Sequence, residues 1–94
     1  MKAATHEEVL QFTDIPNIGN KMAEDFTKLG IINPEQLAKK DAFSLYSQLC
    51  KIEGVRQDPC VLDTYLAAID FMNGAPAQPW WNYTKMRKRK YPDI

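Results

Sequence analysis

This 94-residue chain holds one histidine, two cysteines and four glycines, and each scarcity excludes a chemistry. His6, alone near the N-terminus, provides no nucleophile and base pair. Cys50 and Cys60, even with His6, fall short of the roughly four ligands at set spacing that a zinc site needs. The glycines nowhere gather into a phosphate-binding loop. No apolar run approaches the roughly 18 residues that span a bilayer. The opening Met1 to Glu8 lacks the apolar stretch of a signal peptide. The expectation is a cytoplasmic protein that is not an enzyme, with no metal, no cofactor and no membrane partner.

What is present fits one domain, because 45% hydrophobic content over this length buries a modest core without staples. The net charge of zero hides an asymmetry. Residues 1–84 carry 7 Lys and Arg against 11 Asp and Glu, whereas residues 85–94 carry 5 against 1. The body is acidic and the end basic, so the body has too few cations to form a strongly attractive stripe for nucleic acid.

Apolar residues recur at helical spacing through Val9, Leu10 and Phe12, then Met22, Ala23, Phe26 and Leu29. The pattern continues through Leu45, Leu49 and Ile52, and through Val61, Leu62, Tyr65, Leu66, Ile69 and Phe71. Punctuation agrees with it. Thr5 and Glu8 make a capping-box pattern, Gly30 closes a helix, Asn33-Pro34-Glu35 opens one, and Asp41 and Asp58 are placed to cap two more. The spacing predicts five helices near 5–13, 20–29, 34–39, 42–52 and 59–72, with Gly74 ending the last. The organisation read here is a single domain over 1–84, with its helical body complete by about 74 and an irregular aromatic segment over 75–84. A loosely attached basic tail occupies 85–94.

The run Asp14-Ile15-Pro16-Asn17-Ile18-Gly19-Asn20-Lys21 puts a tight apolar turn directly before a helix start, where free N–H groups and the dipole favour an anion. Gly19 is placed to allow positive φ, and Asn17 tolerates the left-handed region. The motif resembles the helix-hairpin-helix family of DNA-backbone-binding modules, with Asn17 where a first glycine is usual. Setting Phe12 to Leu29 beside Leu49 to Leu66 exposes a weak repeat whose second turn is Ile52-Glu53-Gly54-Val55-Arg56. From Phe12 to Tyr83 the chain more narrowly resembles the small bacterial pathogenicity-locus proteins, sometimes labelled mitomycin-resistance proteins. The carrying residues include Ile15 to Gly19, Met22 to Asp25, Leu29-Gly30-Ile31, Leu45-Tyr46, Leu49-Cys50, Gly54-Val55-Arg56, Asp58 to Asp63 and Pro79-Trp80-Trp81. The resemblance implies a bacterial source, an all-α domain of the five-helix helix-hairpin-helix, sterile-alpha-motif-like type, and no established catalytic activity.

Three functional readings follow. The leading one is a module that binds DNA backbone weakly and without sequence preference. It would use Ile18, Gly19, Asn20 and Lys21, a second contact at Gly54 and Arg56, and the basic residues Lys85, Arg87, Lys88, Arg89 and Lys90. The second is a protein-interaction domain using the acidic body and a Trp80-Trp81 patch; the same aromatics alternatively cover the core. The third is a redox switch at Cys50 and Cys60, where a helix start lowers the Cys60 thiol pKa while a neighbouring acid works against it. Against it stands the ordinary reading of both cysteines as reduced, buried thiols. Glu24, Asp25, Asp58 and Asp63 read as helical surface acids, with Asp63 available to a base such as Arg56. Oligomeric state is left open by these patterns.

Overall fold

In a computed structural model, residues 2–94 are described, and they form helices and turns with no strand among them. The chain is all-α. Its helices are α1 (Asn20–Lys28), α2 (Pro34–Leu37), α3 (Ala42–Glu53), α4 (Pro59–Met72) and α5 (Thr84–Lys90), with single 3₁₀ turns at His6–Glu8, Phe12–Asp14 and Trp80–Tyr83.

The expected starts hold for the four central helices and the expected stops to within two residues, and side chains cap the starts of α2, α3 and α4. Asn33 accepts from Gln36 N–H at 3.0 Å and Asp41 accepts from Ser44 N–H at 2.9 Å. Asp58 accepts from Cys60 N–H at 2.8 Å. Pro34 and Pro59 sit at the first turns of α2 and α4, where no N–H is needed. α4 is the centre of the fold. Leu62, Tyr65, Ala67, Ala68, Phe71 and Met72 are buried around more than one face of it, the mark of an enclosed helix. α2, α3, α5 and the Trp80–Tyr83 turn all pack against it, while α1 packs on α3 and the Phe12–Asp14 turn.

Two expectations are corrected. The helix expected near 5–13 is a pair of 3₁₀ turns, because side chains claim the N–H groups that a continuous helix requires. Glu8 accepts from the backbone of Ala4 and Thr5, and Asp14 accepts from Leu10 and Gln11. Val9 is buried between the two turns, but Leu10 is 88% exposed, so the apparent apolar stripe was never one face. The expected loose tail is the helix α5, held by Arg87 and by Tyr91, whose ring stacks on Phe43 at 4.7 Å. No helix among the described residues is long and apolar enough to cross a membrane.

Candidate functional site

The hairpin before α1 is built from its own core residues. Ile15 and Ile18 have no exposed surface, and Ile18 N–H closes the turn on Ile15 C=O at 3.1 Å. The left-handed residue is Asn17, at φ 73°, a conformation that costs a non-glycine residue about 1 kcal/mol. Its side-chain amide offsets that cost by donating to Gln78 C=O at 2.7 Å, which ties the hairpin to the segment leading to Trp80. Gly19, expected at positive φ, is extended at φ −98° and ψ −173°, and a Cβ placed there would meet nothing within 4 Å. Lys2 closes the other side. Its ammonium donates to the carbonyls of Thr13 at 2.7 Å, Ile15 at 3.1 Å and Ile18. Burial pulls the Lys2 pKa down, and Asp14 opposes it.

One turn into α1, Lys21 donates to Asp25 Oδ1 at 2.7 Å. That bond raises the lysine pKa. The pairing is asymmetric: the Lys21 side chain is 71% exposed and the Asp25 side chain 8%. Asp25 was expected as a surface acid and is instead buried. The signal available in the sequence was its spacing of four from Lys21, which puts both on one helical face beside Met22.

At the second turn Gly54 adopts φ 71°, ending α3, and Glu53 beside it binds Lys28 at 2.9 Å. Val55 and Arg56 are exposed there. Gln57 then donates its N–H to Cys50 Sγ at 3.3 Å and accepts from the Tyr46 hydroxyl. The cap on Cys60 N–H holds the Asp58 carboxyl below its ordinary range. Cys60 behaves oppositely to the helix-dipole expectation. Burial raises its thiol pKa, and the carboxylates of Asp58 and Asp63 raise it further, so it is a protonated thiol near neutrality. Both cysteines are free.

These elements enclose an open cleft of about 320 Å³. α1 supplies Lys21, Met22 and Asp25, the start of α4 supplies Cys60, Val61 and Thr64, and Trp80 forms one side. Three residues singled out in the sequence, Lys21, Cys60 and Trp80, therefore meet in one place. Trp80 contacts Trp81 edge to face at 5.6 Å and is half-buried, while Trp81 is 61% exposed. Gly54 and Arg56 do not line this cleft, nor does α5.

Arg87 is the largest departure from the expected site. It is 5% exposed, and its guanidinium grips the fully buried Asp63 through Nε to Oδ1 at 2.9 Å and Nη2 to Oδ2 at 3.3 Å. Thr84 adds a donor to Oδ2 at 2.8 Å, and Arg87 Nη1 reaches Ile94 C=O at 3.2 Å. Asp63 thus pairs with Arg87 and not with Arg56. Lys85, Lys88, Arg89 and Lys90 remain exposed on α5.

The model of the pathogenicity-locus family Cdd1 matches residues 5–89. The mitomycin resistance protein McrB of Streptomyces lavendulae is 40% identical over 85 residues, covering 90% of this chain and 81% of that protein. No solved structure matches. Neither the family nor this relative is named for nucleic acid; the relative is named for mitomycin resistance and the family for a pathogenicity locus. They overturn the DNA-backbone reading, and two of the cations it relied on, Lys21 and Arg87, are engaged within the fold. Lys21 is held by Asp25, Asn17 by Gln78, Arg87 by Asp63, and the carbonyls of the hairpin by Lys2. The thiol-switch reading loses the activated Cys60 on which it relied. With the family matched across residues 5–89, the chain belongs to the Cdd1 pathogenicity-locus family.

Proposed function

We propose that this chain serves in resistance to mitomycin-type compounds as a cytoplasmic, non-catalytic binding module whose ligand site is the cleft between α1, the start of α4 and Trp80. The observation that carries the reading is the convergence of a half-buried indole, apolar Met22 and Val61, and a buried carboxylate around about 320 Å³ of open space. Sites for small organic ligands combine apolar and aromatic walls with a few fixed polar groups, and this cleft has that composition. Binding fits better than chemistry because burial and the carboxylates of Asp58 and Asp63 raise the pKa of the thiol on its wall, Cys60. The name of the Streptomyces relative supplies the compound class.

The scaffold reading that goes with it is a sterile-alpha-motif-like arrangement of two helix hairpins. Left-handed residues at Asn17 and Gly54, each in the turn that leads into α1 or α4, support that reading. An experimentally determined structure in which the segments 12–29 and 49–66 fail to superpose would remove it.

Heteronuclear NMR of the full chain during a mitomycin titration tests the site. Saturable movement of the Met22 and Thr64 amides and the Trp80 indole is expected. No movement up to about 1 mM, where binding is worth only about 4 kcal/mol, would take the cleft out of the account.

A further inference from the structure

Asp25 has an unengaged oxygen. Lys21 holds Oδ1 at 2.7 Å, and no hydrogen bond among the described residues reaches Oδ2. Asp25 is 5% exposed, yet Oδ2 is not a sealed atom, since the one enclosed side-chain polar atom without a partner is the Tyr65 hydroxyl. Asp25 lines the cleft, and the oxygen that Lys21 leaves unengaged is the carboxylate acceptor available at that wall. Two of the donors nearby are already used. Thr64 has already given its hydroxyl proton to Cys60 C=O at 2.8 Å, and Gln57 N–H is directed to Cys50 Sγ. The single cation on the wall, Lys21, is occupied by Asp25 itself.

We infer that the cleft selects flat ligands that present a nitrogen donor, either a protonated amine or amidine or an amide N–H, to Asp25 Oδ2 while the ring lies against Trp80. The inference rests on the cleft being the ligand site. A charge-assisted bond to a carboxylate is roughly twice as strong as a neutral one. An aromatic face against the indole adds contact area with its own geometric preference. An anionic ligand would meet the like charge of the Asp25 carboxylate, which disfavours acidic compounds at this wall. Lys21 sets the threshold: its ammonium competes for the carboxylate, and its long exposed stem can swing aside.

Three probes of similar shape decide it, each titrated into the full chain and followed by NMR: benzamidine, acetophenone and benzoate. Benzamidine should move the Thr64 and Cys60 amides and the Trp80 indole at least about tenfold more tightly than the other two. That ratio corresponds to about 1.4 kcal/mol. Asp25→Asn should bring benzamidine down to the level of acetophenone. Lys21→Met, which leaves the core untouched, should tighten benzamidine several-fold by freeing the second oxygen. Equal affinity for all three probes, or benzamidine binding that Lys21→Met leaves unchanged or weakens, would overturn the inference. Mitomycin in a parallel titration separates the two levels of the argument. If mitomycin moves the cleft signals and benzamidine does not, donor selection fails and the site stands; if neither moves them, both fail.

Discussion

Two aspartates, each paired with a cation, illustrate different uses of the same pairing. Asp63 on α4 has no exposed surface and both its oxygens are satisfied, by Arg87 twice and by Thr84 once. Asp25 on α1 lines a cleft, with one oxygen bonded to a lysine that is 71% exposed and the other unengaged. Removing two charges from water is expensive, and the expense is tolerable only when every lone pair finds a partner. The Asp63 cluster meets that condition and can therefore do nothing but hold α5. The Asp25 pair leaves the condition unmet, and the unmet acceptor is what a ligand can use.

The largest expected effect comes from breaking the buried pair. Arg87→Ala strands the Asp63 carboxylate in the core and should lower stability by about 3–5 kcal/mol. For a domain of this size each kcal/mol shifts the midpoint by roughly 4–8 °C, so thermal unfolding followed by circular dichroism reads it directly. Adding Asp63→Leu to Arg87→Leu should restore much of the loss, because the desolvated charges disappear together. A midpoint that barely moves in Arg87→Ala would mean that α5 is held by its apolar contacts alone.

Those apolar contacts come next in size. Tyr91 stacks on Phe43 with the rings 11° from parallel, at the far end of α5 from Thr84. Tyr91→Ala should cost about 1–2 kcal/mol in urea unfolding, combining the stacking with the lost area. Combined with Arg87→Ala, the two losses should not add, since either change releases the same helix. Strict additivity would show that the strap has no cooperative character.

How much of this was legible beforehand follows the same contrast. The caps at Asn33, Asp41 and Asp58 and the bounds of α1 to α4 could be read because each depends on residues within a turn of one another. The cleft could be read only in pieces: Lys21, Cys60 and Trp80 stood out, but their meeting depends on packing across some 60 residues. Asp63 and Arg87 were assigned to the surface because charge argues for exposure, and nothing local announces a partner 24 residues away; Asp25 was too, although Lys21 stands one turn before it. The basic run in 85–90 concealed a helix for the same reason: one of its five cations was addressed to the core. Near the N-terminus the error ran the other way, since local capping by Glu8 and Asp14 broke a stripe that periodicity had joined.

Acid sharpens the comparison at a smaller scale. The carboxyls of Asp58 and Asp14 are held below their ordinary value of 3.8 chiefly by backbone N–H groups, and Arg87 adds to the effect at Asp58. A depressed folded value means a contribution fully present above the unfolded value and lost as pH falls through the folded one. Unfolding midpoints should therefore hold down to about pH 4 and decline below it. Asp58→Asn should flatten part of that decline. An acid limb that Asp58→Asn leaves unchanged would mean that the α4 cap does not titrate with unfolding.

The smallest effect on stability is expected at the residue that competes with a ligand for Asp25. Lys21→Ala removes a cation whose side chain is mostly in water, from a carboxylate that lines the cleft. Water can take the vacated position on Oδ1, and an i to i+4 pair whose cation lies mostly in water contributes little that salt does not screen. The melting midpoint of Lys21→Ala should match that of the unaltered chain at both low and high salt. A fall comparable to that of Arg87→Ala would make Asp25 a charge that the fold must neutralise, as Asp63 is. The free oxygen would then be an incidental gap in a structural pair, and the distinction between the two aspartates would collapse.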